Sequence, residues 1–291
     1  MNLRHPIRAG SFYDASTSEC RQQASKLIDS AVLPQGLPAR LLGAVVPHAG
    51  WMYSGPLAAA AFKAILTRQD IGTLVLFGAD HYGVVRKGEV FEAGIWRTPL
   101  GDMPVDEEVA AALLSAGCSL LRANFAAHAY EHSIEVHLPL LQTCRPSLRI
   151  VPIAVPPTDD AVGIGQAVGR LLAERFPAIA VVGSSDLTHH GGHFPAPGGR
   201  GAAGVAWTER NDRRMVGMVQ SLSAGDIIPE ADANGNACGA GAIAATVAAV
   251  REMGATQGIC LGYTNSYRVM HEQSPDDPDD TTVGYAAIVF A

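Results

Sequence analysis

The chain has 291 residues, of which 48% are hydrophobic and 17% charged, and a formal net charge of −7. That composition supports a sizeable buried core and excludes a disordered or fibrous protein. With no long basic run, the sequence lacks the clustered Lys and Arg that phosphate-backbone contacts need, so no nucleic-acid partner is expected.

The opening residues, MNLRHPIRAGSFYD, contain no apolar core of the kind a secretory signal has. No stretch reaches the length of a membrane span without a charge or a turn, so no membrane partner is expected either. In chain order, six short apolar runs end in turn signals: 41–47 (LLGAVVP), 73–78 (TLVLFG), 149–155 (RIVPIAV), 178–184 (AIAVVGS), 258–263 (GICLGY) and 283–290 (VGYAAIVF). Each has the length of a buried strand. Helical patterns fall at 56–67, opened by Pro56, at 106–116 with Asp106 as the cap, and at 159–175, 205–222 and 239–253. The alternating stretch 89–100, followed by Thr98-Pro99-Leu100-Gly101, predicts an exposed strand and a tight turn. The Gly/Pro-rich 190–204 predicts a loop, and DDPDD at 276–280 a solvated acidic turn. Apolar strands alternating with helices predict an α/β fold: one domain over 1–291, with a central, largely parallel sheet flanked by helices.

The five cysteines, Cys20, Cys118, Cys144, Cys238 and Cys260, form no C-x-x-C pair, and their number is odd. A disulfide framework is not expected, and the reducing cytoplasm is the natural compartment. Cys20, Cys118, Cys144 and Cys260 read as small buried hydrophobes.

In an open α/β sheet, ligands bind at the carboxyl ends of the strands. Strand 41–47 delivers His48 there. Strand 73–78 delivers Asp80 and His81, and strand 178–184 delivers Ser184, Ser185, Asp186, His189 and His190. Three strands each carrying a histidine to one edge favour a shared site, provided that the strands are parallel neighbours. Residues 131–138 (EHSIEVHL), read as a helix, put His128, His132 and Glu135 on one face. His132 and Glu135 then either hold a metal or orient a ligand, or the helix simply packs Ile134 and Leu138 inward. Cys238, read in the first turn of an Ala/Gly-rich helix, would have its pKa lowered by the helix dipole. Imidazole with thiolate or carboxylate suits a transition metal. Gly183-Ser184-Ser185-Asp186 fails the G-x-S-x-G pattern, and no Walker A or G-x-G-x-x-G motif follows a strand.

Several motifs occur together and in order: Arg8 to Tyr13, Pro47-His48-Ala49-Gly50 with Tyr53-Ser54-Gly55, Gly78 to His81, Thr98 to Gly101, Glu131 to Pro139, Ser184 to Asp186 with His189, and Cys238-Gly239. In this the chain resembles the Memo (mediator of cell motility) family, whose prokaryotic members are called AmmeMemoRadiSam system protein B. The resemblance implies a fold like that of the class III extradiol (LigB-type) dioxygenases. It implies His48, His81 and Cys238 as metal ligands, with Asp186 and His189 as catalytic groups and Tyr53 in the surrounding pocket; Asp80, which is not part of the family pattern, either supports His81 from beside it or is only a turn residue. It further implies iron(II) or copper, with zinc also possible, and a redox or dioxygenase-like role on a small molecule. The alternative is an adaptor that binds a peptide or small ligand in an enzyme-like pocket. A third reading is nucleophilic chemistry at Cys238, with His48 or His189 as base. The family name points to radical-SAM and AMMECR-type partner proteins. The chain departs from the family pattern in reading Gly-Ala-Asp before His81, and Gly-Ala-Gly after Cys238.

Overall fold

A computed structural model describes residues 2–116, 119–276 and 279–291. In chain order the elements are β1 (Leu3–Arg4), α1 (Thr17–Ser30), β2 (Gly43–Val46), α2 (Trp51–Leu66), β3 (Thr73–Gly78), β4 (Gly88–Val90), β5 (Ile95–Thr98), β6 (Gly101–Pro104) and α3 (Glu107–Ser115). There follow β7 (Leu121–Ala123), α4 (Leu138–Cys144), β8 (Arg149–Ala154), α5 (Asp160–Arg175), β9 (Ala180–Ser184), β10 (His189–His190), α6 (Gly201–Gln220), α7 (Ile227–Asn234), α8 (Ala240–Glu252), β11 (Gly258–Asn265), α9 (Ser266–Gln273) and β12 (Thr282–Phe290).

All six expected apolar runs are strands of one large sheet, with the order β10-β12-β2-β9-β3-β8-β4-β7 and β11 paired to β12. The four central strands, β2, β9, β3 and β8, run parallel. The flanks do not: β12 is antiparallel to β2, β11 to β12, and β4 to β8. The expectation of a largely parallel sheet therefore holds at the centre, and the whole is mixed. The difference lies in how the outer strands pair: β10, β11, β12 and β4 each join the sheet through an antiparallel ladder, and the direction of a strand leaves no mark on its apolar run.

The central strands are buried along their whole length, apart from Arg149 at the start of β8, which is why they read as unbroken apolar runs rather than alternating ones. The alanine-rich α8 is buried at every position from Ala240 to Val250 and packs against α5 and β9. Small side chains let it sit close without overpacking. At the start of α3, Asp106 caps the helix as expected, its carboxylate accepting the Val109 N–H at 3.3 Å.

Four local expectations are corrected. Helix α2 begins at Trp51, with Gly50 as its cap, so Pro56 lies inside it rather than at its first position. The stretch 89–100 is not one exposed strand. Its first part is the buried β4 of the large sheet, and its second is β5 of a three-stranded sheet, β1-β5-β6. The tight turn does form, pairing Thr98 with Gly101. The loop expected to run to 204 ends four residues sooner, because Gly201 to Gly204 already belong to α6. Residues 131–137 are not an α-helix: Glu131 and His132 lie in neither helix nor strand, Ser133 and Ile134 form a turn, and a 3-10 turn at Glu135–His137 leads into α4 at Leu138.

Cys20 is fully buried, and Cys144 and Cys260 are partly buried against the core. Cys118 lies outside the described residues, as does part of the acidic turn at 276–280.

Candidate metal centre

The strands β2, β9 and β3 are adjacent and parallel, so their carboxyl ends share one edge. His48 follows β2, His81 follows β3 and Asp186 follows β9. The condition on which the shared site depended is therefore met. Cys238 arrives from outside the sheet, just before α8. A Cβ on the next residue, Gly239, would meet the Ser184 carbonyl at 2.3 Å, so only glycine lets the α8 entry press against the end of β9. That contact carries Cys238 to the imidazole of His48.

One ligand atom each from His48, His81 and Cys238 lies within 4.8 Å of the others. The Cys238 thiol is 3.2 Å from His48 Nε2, and the His48 and His81 rings meet edge to face with centroids 5.1 Å apart. His48 is buried, whereas His81 is at the open side of the group.

Hydrogen bonding fixes which nitrogen of each histidine is free. The Ser184 hydroxyl donates its single proton to the Ser133 carbonyl at 2.7 Å. It is therefore an acceptor towards His48 Nδ1 at 2.9 Å and His137 Nε2 at 2.8 Å. His48 thus carries its proton on Nδ1 and turns the lone pair of Nε2 towards Cys238. His81 Nδ1 lies 3.0 Å from the Glu131 carboxylate, which also accepts the His81 backbone N–H at 3.0 Å. This arrangement leaves His81 Nε2 free. Each ring is thus oriented through its second nitrogen, as is usual for metal-ligating histidines.

A second cluster, His81, Glu131 and His132, also lies within 4.8 Å. It is the poorer donor set, because Glu131 is already occupied. One of its oxygens accepts from the backbone N–H groups of His132 and Ser133 at 2.8 and 2.9 Å, and both oxygens face His81. His132 stacks on His81 with centroids 4.7 Å apart, and its buried Nδ1 has no hydrogen-bond partner. It reaches the site from irregular chain rather than by the helical face expected of it.

Burial sets most of the proton affinities. It pushes His48 well below the ordinary imidazole value, with the neighbouring histidines adding to the effect. His132 is lowered to about 4 by burial and by His81. Burial works against the charged form of His81 as well, but the Glu131 carboxylate outweighs it and the net shift is upward. Asp186 is raised to about 7 by burial, against the pull of the His48 N–H, which it accepts at 2.7 Å. Cys238 is raised, not lowered: burial and the Asp186 charge dominate. The residue precedes the cap of α8 and is not in its first turn, and its S–H points to the Asp186 carbonyl at 3.6 Å. Cys238 therefore gains no thiolate stabilisation from a place in the first turn of α8, contrary to the expectation from sequence.

The remaining expected residues divide. His189 donates from Nδ1 to the Leu187 carbonyl at 3.0 Å, leaving Nε2 free, and its pKa is lowered by burial. Asp186 is bonded to the His48 backbone, so it holds the β2 end rather than His189. The Asp80 carboxylate accepts the N–H groups of Val84 and Val85 and folds its own loop. Tyr53 donates to Met270 Sδ at 3.3 Å. Glu135 turns away from His132: its carboxylate takes Arg4 at 2.5 Å, the Tyr13 hydroxyl at 2.7 Å and the N–H groups of Ile7 and Arg8. It ties the N-terminal segment to the body of the protein. His128 is buried against the Glu89 carbonyl, and His190 packs on Trp207. Sequence reasoning missed Ser184 as the hub of two imidazoles and Glu131 as the anchor of His81. A helical register hid Glu131, and Ser184, although named among the residues at the end of its strand, gives no signal of which imidazoles it meets.

A sequence model described as Memo-like protein matches residues 4–289. Among curated proteins, the chain is similar to a MEMO1 family protein of Methanopyrus kandleri, 34% identical over 99% of this chain and 98% of that one. It is 32% identical to a MEMO1 family protein of Methanothermobacter thermautotrophicus, over 98% of this chain and 99% of that one. A third, from Pyrobaculum aerophilum, is 31% identical over 100% of this chain and 99% of its own. Coverage of this extent, with the histidine, cysteine and aspartate residues gathered at one sheet edge, leads to one assignment: the chain belongs to the Memo-like protein family.

Proposed function

We propose that this protein binds one transition-metal ion through His48 Nε2, His81 Nε2 and Cys238 Sγ, and that it serves as a redox protein of the dioxygenase-like kind acting on a small molecule. The observation that carries the reading is the convergence of those three donors within 4.8 Å, with both imidazoles oriented by Ser184 and Glu131. Two imidazoles and one sulfur suit iron(II) or copper, with zinc as a third candidate. A bound redox-active ion with three protein ligands would supply an open position for electron or oxidant chemistry.

The residues around it have definable tasks. Metal binding would require Cys238 to release its proton, and Asp186, raised to about 7, sits beside it as an acceptor. His189, with Nε2 free and close enough to His48 and His81 for their charges to act on one another, can take or give a proton there. His132 stacks against one face of His81, whose other side stays open to solvent. No helix among the described residues is long and apolar enough to cross a membrane. Unpaired cysteines and a thiol ligand fit a reducing cytoplasm.

Metal analysis of anaerobically purified protein tests this. Wild type is expected to take up one equivalent of iron(II) or copper, and His48→Ala and Cys238→Ser far less. No stoichiometric uptake by wild type under any loading condition would overturn the reading. Binding of a small ligand that persists unchanged in His48→Ala would favour a non-catalytic binding protein.

A further inference from the structure

Beside the metal centre lies a cleft of about 320 Å³ between two segments, the 80–86 loop and residues 124–131. Its walls are Tyr82, Val84, Asn124, Ala126 and Tyr130, and its inner end is Glu131, the residue that orients His81. Seven large apolar side chains are exposed among the described residues, and three of them border this one cleft: Tyr82 at 53%, Val84 at 52% and Tyr130 at 73%. Exposed apolar side chains scattered singly need no explanation, whereas a concave group beside a reactive centre does.

The walls are built in advance of any ligand. The Asp80 carboxylate accepts the N–H groups of Val84 and Val85 at 3.0 and 2.9 Å, and Gly83 takes a left-handed φ of +66° that turns the loop. Arg86 donates to the Gly83 carbonyl at 2.9 Å. On the other side, the Asn124 side chain accepts the Ala126 N–H at 3.1 Å, and His128 pins the turn to Glu89. Beneath them Val85, Ala127 and Ala154 form a separate small apolar cluster. A cleft held open by its own hydrogen bonds loses little entropy on binding.

The chemistry of the lining selects its occupant. Two tyrosine rings, a valine and two alanines offer stacking and apolar contact. The lining holds no cation to attract an anion. Its one carboxylate is engaged by the N–H groups of His81, His132 and Ser133, so little of its charge is left for a ligand.

We propose that this cleft is the subsite for an uncharged, ring-bearing portion of the small-molecule ligand, whose polar end reaches His81. The size fits one ring and a short substituent, near the lower end of the range for ligand pockets. The proposal deepens the metal-centre reading and rests on it only for the position of the polar end.

The test is fluorine NMR titration of the full chain with 4-fluorobenzyl alcohol, and with 4-fluorobenzoate as the charged comparison. Wild type is expected to bind the alcohol saturably and the benzoate at least about fivefold more weakly. Ala126→Trp, which fills the cleft from an exposed position, should weaken the alcohol about tenfold or more, and Tyr130→Ala about fivefold. Both variants should keep the metal stoichiometry of wild type. Equal binding by wild type and Ala126→Trp, equal affinity for the two probes, or no saturable binding by wild type would each overturn the subsite. Binding that follows the expected pattern in a protein that takes up no metal would sink the metal reading and leave the cleft standing.

Discussion

Ser184 Oγ lies 2.9 Å from His48 Nδ1, and because that hydroxyl gives its only proton to Ser133, the imidazole must be the donor. One serine thereby fixes the tautomer of the buried ligand candidate. Ser184→Ala leaves both His48 and His137 without an acceptor inside the protein. Metal affinity is expected to fall about 10- to 100-fold, the usual effect of losing a group that orients a ligand. Stability should fall by about 1–3 kcal/mol from the unpaired polar groups. A chelator competition titration and a denaturant melt read the two effects separately. Unchanged metal affinity would show that His48 is positioned by packing alone.

Glu131 does for His81 what Ser184 does for His48, but with charge. Glu131→Gln keeps the shape and can still accept hydrogen bonds, yet it removes the carboxylate that outweighs burial at His81. The same partners hold Glu131 itself down to about 2, although burial opposes the shift. The variant is expected to bind metal about tenfold more weakly, with the imidazole pKa of His81 shifted downward in histidine NMR titrations. An unmoved His81 titration would mean that the carboxylate is not its charge partner in solution.

Cys238 offers a test of its protonation state. Buried against Asp186, it should alkylate with iodoacetamide more slowly than an exposed thiol at pH 8 in the metal-free protein, because only the thiolate reacts. Mass spectrometry of the labelled peptide measures the rate. Rapid labelling, faster than a model thiol, would restore the reading of an activated nucleophile.

The sheet was legible because its strands are buried on both faces, so each stands out as an apolar run closed by a turn. His48, His81 and Asp186 were legible for the same reason, since a polar residue immediately after such a run marks the sheet edge. Two things were hidden. Glu131 and His132 sit in irregular chain that has helical spacing by coincidence, so the periodicity placed His132 beside Glu135, and the structure turns those two apart. The protonation of Cys238 was misread because helix position is a local property, whereas burial beneath Asp186 is a tertiary one. The parallel centre and antiparallel flanks likewise depend on the direction in which each strand joins its neighbour, which no apolar run records.

The separation of His132 from Glu135 gives a further prediction. Glu135 is fully buried and paired with Arg4, which is itself buried. Removing one member of such a pair leaves an uncompensated charge, at a cost of about 3–5 kcal/mol. Glu135→Ala should therefore lower stability by that order while leaving the metal stoichiometry of the folded protein intact. Arg4→Met combined with Glu135→Leu should recover much of the loss. A folded Glu135→Ala protein that has lost its metal would place Glu135 in the site after all.

Acid stability should report on His128, far from the metal ligands in role. Its ring is fully buried, Nε2 donates to the Glu89 carbonyl at 2.8 Å, and Nδ1 has no partner. Burial lowers its pKa to about 4, because protonation would place an unpaired charged donor in the core. A depressed folded-state value means that the contribution to stability is fully present above the unfolded value and is lost as pH falls from about 6.5 towards 4. The amount at stake is on the order of 3 kcal/mol. His128→Gln can keep a donor to Glu89 but cannot be charged. It should be less stable than wild type at pH 7.5 by about 1–2 kcal/mol, from imperfect packing. The gap should close or invert by pH 4.5. His132 and His137, also lowered by burial, titrate in both proteins and cancel in the difference. Urea unfolding of the two proteins across that range measures it, and a gap that stays constant with pH would mean that His128 is not held neutral by the fold.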